Sequence, residues 1–161
     1  MPTVDYSRRW YAMASVGMGI VVATIDGSIV NVALPTLVRA FATDLASVEW
    51  VVLAYLLATA TLMLSTGRLG DMMGKKPVYI TGFVIFTIGS GLCGFAPTIG
   101  VLVMARVLQA VGAAMLMSLG MAIITEAFPP KDRGKALGVA GSLVSVSFVL
   151  GPPLGGVLMG A

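Results

Sequence analysis

The chain has 161 residues, of which 58% are hydrophobic and only 11% are charged, and its formal net charge is +3. Soluble domains carry about 25% charged residues, so the composition excludes an ordinary soluble domain and predicts a membrane protein. The small positive charge does not indicate nucleic-acid binding. With no histidine and a single cysteine, the sequence excludes an intrachain disulfide, a Ser–His–Asp triad and a histidine-containing metal site. We therefore expect no cofactor, no metal and no enzymatic activity.

Five long apolar runs follow one another along the chain, each near or above the ~20 residues that cross a bilayer. Because lipid requires backbone polar groups to be satisfied within the segment, all five are predicted to be helices. The predicted spans cover residues 11–38, 50–66, 78–96, 99–125 and 136–160. The predicted fold class is all-α, a polytopic helical membrane protein, with residues 1–161 forming one bundle.

The cations are distributed unequally between the two ends of these spans. Arg39 alone lies on the far side, whereas eight cations lie on the N-terminal side: Arg8, Arg9, Arg68, Lys75, Lys76, Lys131, Arg133 and Lys135. The positive-inside rule therefore predicts a cytoplasmic N-terminus and, after five spans, an external C-terminal end. The sequence stops directly after a span without a polar tail, which we expect of an incomplete protein.

A polar, glycine-rich segment at residues 67–77 separates the second and third spans. It contains three cations and one carboxylate, Asp71, in a chain where charge is scarce. We predict a tight loop, since glycines permit sharp turns. In this loop Asp71 would accept hydrogen bonds from free N–H groups at a helix start. A turn that only sets the topology is the plainer alternative.

Two ionisable side chains, Asp26 and Arg106, lie inside the first and fourth predicted spans. Intramembrane charges are costly and face the bundle interior. At ~1.5 Å per residue they lie about 17 and 11 Å from the outer membrane boundary, close enough to pair or to share a water-filled cavity. Both a structural ion pair and a carboxylate that couples proton binding to a second event fit this placement.

Other polar residues and helix breakers accompany this pair. Gln109 lies three residues after Arg106 and so on the same helix face. Asn31 lies within the first span, where its amide needs a partner, and Pro35 is expected to end or kink that helix.

The fifth span contains the sequence Gly-Pro-Pro-Leu-Gly-Gly at residues 151–156. Pro152 and Pro153 each remove a backbone donor and are expected to kink the helix. Gly151 and Gly155 form a small-xxx-small face that suits tight helix contact. The remaining glycines within the spans are expected to serve packing.

Four segments together resemble motifs of the major facilitator superfamily. Residues 67–76 resemble its loop motif G-x-L-a-D-r-x-G-r-k, and residues 106–114 resemble its fourth-helix motif R-x-x-Q-G-x-G-a-a. Residues 147–156 resemble the antiporter motif g-x-x-x-G-P-x-x-G-G, and residues 25–35 resemble the first-helix motif l-D-x-t-i-v-n-v-A-L-P of fourteen-helix drug:proton antiporters. The chain departs from these motifs at Met72, Ala110 and Ser147.

The resemblance implies a proton-coupled multidrug efflux transporter of the plasma membrane, the bacterial inner membrane. It implies a proton-coupling or substrate site at Asp26, Arg106, Asn31 and Gln109. It implies a gating loop at Gly67, Asp71, Gly74, Lys75 and Lys76, and an antiporter hinge at Gly151, Pro152, Gly155 and Gly156. The implied partners are the lipid bilayer, protons and a hydrophobic small molecule, in some cases a cation.

The family has two six-helix bundles with internal repeats, so five helices correspond to an N-terminal bundle without its sixth helix. The absent C-terminal half is then the expected structural partner. Two alternatives stay open at this point: a truncated membrane protein that does not transport, and a small transporter that assembles its second half as a homo-oligomer.

Overall fold

A computed structural model describes residues 9–160, with side chains described to residue 157; Arg8, part of the topology prediction, lies outside this range. The described part consists of five helices: α1 (Arg9–Ala40), α2 (Leu45–Met73), α3 (Lys75–Gly94), α4 (Ile99–Ala127) and α5 (Arg133–Gly160). Each is long and apolar enough to cross a membrane. The prediction of an all-α, multi-pass membrane fold is confirmed.

The helices are longer than the predicted spans. α1 continues through Pro35 to Ala40, so the expectation that this proline could end the helix was wrong. α2 begins at Leu45 and runs to Met73, through most of the segment predicted to be a loop. The reason is that hydropathy marks the length embedded in lipid, whereas helical hydrogen bonding continues into the polar boundary. A proline costs one such bond, which transmembrane helices tolerate.

α4 is the central helix and packs against the other four. Small residues let it approach α3 closely. A Cβ atom at Gly112 would lie 2.4 Å from the backbone nitrogen of Phe86, and a Cβ at Gly89 would lie 2.7 Å from the Cα of Gln109. Such separations are shorter than any van der Waals contact, so these two positions require glycine. The α3–α4 interface is thus built on near contact of the two backbones.

The packing expectation does not hold for every glycine. A Cβ atom built at Gly91, Gly94, Gly138 or Gly141 would meet no atom within 4 Å. In the part of the chain that the structure describes, these positions face open space.

Polar contacts tie together one end of the bundle. Arg9 at the start of α1 forms an ion pair with Asp132, just before α5, at 3.5 Å, and the ring of Trp10 packs edge-on against Phe128 at the end of α4. Lys75 at the start of α3 contacts Glu126 near the end of α4. The segments that the cation count assigns to one side of the membrane therefore lie together in space.

Candidate functional site

Asp26, Arg106 and Gln109 form a closed hydrogen-bond triangle between α1 and α4. The Arg106 Nη1 atom donates to Asp26 Oδ2 at 2.6 Å and to Gln109 Oε1 at 2.8 Å. Gln109 Nε2 donates to the other carboxylate oxygen, Oδ1, at 3.0 Å. The helix register explains this arrangement, since Arg106 and Gln109 are three residues apart on one face of α4.

Burial makes the triangle a desolvated site with one partly open corner. The Arg106 side chain is 7% exposed and that of Asp26 is 18% exposed, whereas Gln109 is fully buried. A buried charge requires a paired counter-charge and hydrogen bonds, and both are present here. The Asp26 carboxylate is the most accessible member of the triangle.

A tyrosine on α2 that sequence reasoning missed lies beside this triangle, and a buried threonine follows it one helical turn later. The Arg106 guanidinium lies over the ring of Tyr55, 5.8 Å from its centroid. The buried polar atoms Tyr55 Oη, Thr59 Oγ1 and Arg106 Nε have no hydrogen-bond partner among the described residues. Tyr55 and Thr59 are four residues apart on one face of a hydrophobic helix, and this spacing was the available signal.

α3 packs against the Gln109 corner of the triangle. Gly89 admits the backbone of Gln109, as described above, and the thiol of Cys93 lies 3.9 Å from Gln109 Oε1. The side-chain amide of Gln109 is thus confined by two helices. This confinement holds Gln109, the uncharged member of the triangle, in place.

Asn31 lies outside the hydrogen-bond triangle. Its Nδ2 atom donates to the carbonyl of Gly27, one turn earlier in α1, at 3.1 Å, and the residue is exposed. Five residues at about 100° each place it roughly 140° around the helix from Asp26. The structure does not bring Asn31 to the other three predicted site residues.

The predicted gating segment at residues 67–77 is mostly helical. Gly74, with φ of +93°, is the single residue between α2 and α3. Asp71 lies in the last turn of α2 and not at a helix start. The prediction that it accepts hydrogen bonds from free N–H groups at a helix start was therefore wrong. A carboxylate is unfavourable at this end of a helix, and Lys75 offsets it with an ion pair at 3.8 Å.

Lys75 also reaches Glu126 near the end of α4, which makes it the polar connection between the α2–α3 junction and the bundle. Gly70 of the same motif packs against Leu119 of α4, where a Cβ would lie 2.3 Å from Cδ2. Lys76 is exposed, and a Cβ at Gly67 would have its nearest neighbour, Ser118, at 3.8 Å. Within the motif, Gly70 and Lys75 therefore make the close contacts.

Two of the four predicted hinge residues, Gly151 and Gly155, lie on the α1–α5 contact. A Cβ at Gly151 would lie 2.4 Å from both Cβ and Oγ of Ser28, and a Cβ at Gly155 would lie 3.4 Å from the Ile29 side chain. Gly156 faces open space and Pro152 is exposed. α5 remains helical across the prolines.

Known proteins share this arrangement of helices. A bacterial homolog of the human lysosomal transporter Spinster, solved in an inward-facing and unoccupied conformation, superposes with a TM-score of 0.83. It is 24% identical to this chain, and the match covers 97% of this chain and 32% of the homolog. At this identity the likeness shows the fold alone.

Curated relatives are more similar in sequence. The riboflavin transporter RibZ of Clostridioides difficile strain 630 is 40% identical over 94% of this chain and 33% of its own length. The multidrug resistance protein Stp of Mycobacterium tuberculosis strain CDC 1551 / Oshkosh is 38% identical over 91% of this chain and 28% of its own. Multidrug resistance protein 3 of Bacillus subtilis strain 168 is 37% identical over 97% of this chain and 30% of its own length.

The chain thus spans about a third of the length of the curated relatives it matches. The sequence model described as Major Facilitator Superfamily matches residues 16–161. This match covers the Asp26–Arg106–Gln109 triangle, helices α2 to α5 and all of α1 except residues 9–15. The chain belongs to the major facilitator superfamily, a family of membrane transporters and not of enzymes.

Proposed function

We propose that this chain is the N-terminal part of a proton-coupled exporter of hydrophobic small molecules, with Asp26 as the proton-binding group. The observation that carries the proposal is the hydrogen-bond triangle, because it places a carboxylate with limited water access against a permanent cation. Arginine stays protonated in proteins, so Asp26 is the member of the triangle whose charge can change.

Proton binding would alter the contact between α1 and α4. Both oxygens of Asp26 accept hydrogen bonds, from Arg106 Nη1 and from Gln109 Nε2. A proton on either oxygen converts that oxygen from an acceptor into a donor that faces another donor. One of the two bonds is then broken, and the Arg106 charge loses its counter-ion. Protonation is therefore expected to loosen α1 from α4, which is how a local charge change can bias a larger motion.

The substrate class is proposed from the relatives. Stp and multidrug resistance protein 3 carry multidrug names, which supports export of varied apolar compounds, including cations that could be attracted to a free Asp26 carboxylate. The 40% identity to the riboflavin transporter favours a second candidate, transport of a single polar aromatic compound. Competition assays with riboflavin and with lipophilic cationic dyes on the same preparation would separate the two.

A longer transporter is the proposed setting, since each of the three relatives is about three times as long as the matched region. Alternating access in this family needs two halves moving around a shared site. Residues 1–161 alone should therefore give no dye efflux above the vector control. Proton-dependent efflux from cells that express only these residues would instead support the homo-oligomeric transporter.

The proposed location is the bacterial inner membrane with a cytoplasmic N-terminus, supported by the clustering of cations at one end of the bundle. A reporter fused at Lys76 should read as cytoplasmic, and one fused after Ala161 as extracytoplasmic. A cytoplasmic signal after Ala161 would contradict the proposed orientation.

The decisive experiment measures proton release on substrate binding in the purified full-length protein. The parent should release protons, whereas Asp26→Asn should release none and should fail in proton-coupled efflux. Glu49→Gln is the matched control, because this carboxylate is exposed at the start of α2. Parent-like proton release and efflux by Asp26→Asn would refute the assignment of Asp26.

A further inference from the structure

Two adjacent prolines in α5 leave two backbone carbonyls without their helical donors. In an α-helix the N–H of each residue bonds the carbonyl four residues earlier. Pro152 and Pro153 have no N–H, so the carbonyls of Phe148 and Val149 lose their usual partners. Inside a membrane such groups need another donor, since no water is available to replace the lost bond.

Ser28 of α1 supplies a donor to one of these carbonyls. Its hydroxyl donates to the carbonyl oxygen of Phe148 at 3.0 Å, and the residue is only 3% exposed. Other helical serines behave differently: Ser15 and Ser145 donate to the carbonyl four residues earlier in their own helix. The Ser28 hydroxyl turns away from its own helix toward the carbonyl that Pro152 frees.

The close approach of the two helices makes this bond possible. Gly151 lies directly opposite Ser28, and a Cβ there would lie 2.4 Å from the serine Oγ. A larger residue at position 151 would hold the helices apart and remove the hydroxyl from reach. The glycine and Pro152 therefore act together, one admitting the serine and the other providing its acceptor.

We infer that Ser28 is a positioning residue, whose hydroxyl replaces the hydrogen bond that Pro152 removes and so fixes α5 against α1. Ser28 is two residues from Asp26, about 200° around the helix at 100° per residue. One face of α1 thus bonds α4 through Asp26, and the opposite face bonds α5 through Ser28. The position of α5 is thereby tied to the helix that carries the carboxylate.

A double-mutant cycle tests this inference without relying on transport. The full-length transporter, its Ser28→Ala and Pro152→Ala variants and the double variant are unfolded by SDS titration in mixed micelles. Pro152→Ala restores a backbone N–H that can bond the Phe148 carbonyl within α5, so this carbonyl no longer needs the serine hydroxyl. Ser28→Ala should raise the unfolding equilibrium constant about threefold, the usual size of an interhelical hydrogen bond in a membrane, and by clearly less in the Pro152→Ala background.

The neighbouring proline provides a matched control. Pro153→Ala restores a donor for Val149, which Ser28 does not contact in the hydrogen bonds described, so Ser28→Ala should have its full effect in that background. Ser28→Thr retains the hydroxyl, so any packing cost of its added methyl group at this buried position should be the same in the parent and Pro152→Ala backgrounds. Equal effects of Ser28→Ala in the parent and Pro152→Ala backgrounds would overturn the inference, as would a Ser28→Ala variant as stable as the parent.

Discussion

The donors and acceptors of the Asp26–Arg106–Gln109 triangle predict what happens when the carboxylate becomes an amide. In Asp26→Asn, one accepting oxygen is replaced by a donating NH2 group. With the remaining oxygen toward Arg106, the new nitrogen faces Gln109 Nε2. If the Gln109 amide rotates so that its oxygen accepts from this new nitrogen, its own Nε2 then faces Arg106 Nη1, which is also a donor. Every arrangement leaves one donor facing another donor, so one hydrogen bond is always lost.

The size of the loss follows from the ion-pair geometry. At the N···O distance of 2.6 Å and an effective dielectric constant of about 20, the Coulomb attraction is about 6 kcal/mol. Desolvation offsets much of this, and removing one partner of a buried pair costs about 3–5 kcal/mol. Because the new amide still accepts one bond and the Asp26 side chain is partly exposed, we expect a loss of about 2–3 kcal/mol. The variant should remain folded.

A compensating substitution separates stability from proton coupling. In Asp26→Asn with Gln109→Glu, the new carboxylate accepts from Arg106 and from the new amide, whose oxygen also accepts from Arg106. All three bonds and the charge balance return, so SDS titration should show stability within about 1 kcal/mol of the parent. Proton-coupled efflux should stay impaired, because position 109 is fully buried and a proton there cannot exchange readily with water.

Two results would refute this reasoning. If Asp26→Asn is as stable as the parent, or if adding Gln109→Glu restores no stability, the triangle is not held by these three bonds. If the double variant exports substrate with parental proton coupling, the location of the acid on α1 is unimportant and only the charge of the cluster matters.

Three further predictions concern other parts of the molecule. Arg106→Lys keeps the charge but loses the planar fork, so proton-coupled efflux in proteoliposomes should fall between that of the parent and that of Arg106→Ala. Gly89→Ala should destabilise the purified protein by about 1–3 kcal/mol, because its Cβ would overlap the α4 backbone, whereas Gly91→Ala, which faces open space, should not. The hydroxyl of Ser47 donates to Asp44 and lowers the pKa of that carboxyl. The hydrogen bond should therefore stabilise the protein above the ordinary pKa of Asp44, and this stabilisation should be lost as the pH falls through the lowered pKa. Ser47→Ala should move that pKa up, measurable by carboxyl NMR titration.

Hydropathy was sufficient to predict the fold class, because a bilayer imposes one backbone solution on each apolar run. It could not predict where the helices end. At residues 67–73 the glycines and charges indicated a loop, yet α2 continues to Met73. Gly70 in this stretch serves contact with Leu119 and not a turn. Glycine in a membrane helix has both uses, and sequence alone does not distinguish them.

The candidate site was predictable in part for a similar physical reason. Asp26 and Arg106 were identifiable because intramembrane charges are rare and need each other. Gln109 followed from its three-residue spacing. Asn31 was grouped with them, although its five-residue spacing from Asp26 places it elsewhere around the helix, where it bonds the Gly27 carbonyl. Tyr55 was missed because an aromatic residue in an apolar helix carries no sign that a guanidinium lies over its ring.

The position of α1 between α4 and α5 gives a physical reason for two polar residues so close together in an apolar helix. Each polar group in lipid must be bonded, and Asp26 and Ser28 are bonded to different neighbours. A change at Asp26 alters the α1–α4 bonds but leaves the α1–α5 bond intact, since the Ser28 hydroxyl and the Phe148 carbonyl do not change charge. If protonation of Asp26 loosens α1 from α4, as proposed above, we expect α5 to move with α1. On this inference, the role of Pro152 is to leave the Phe148 carbonyl free to accept the Ser28 bond that joins α5 to α1.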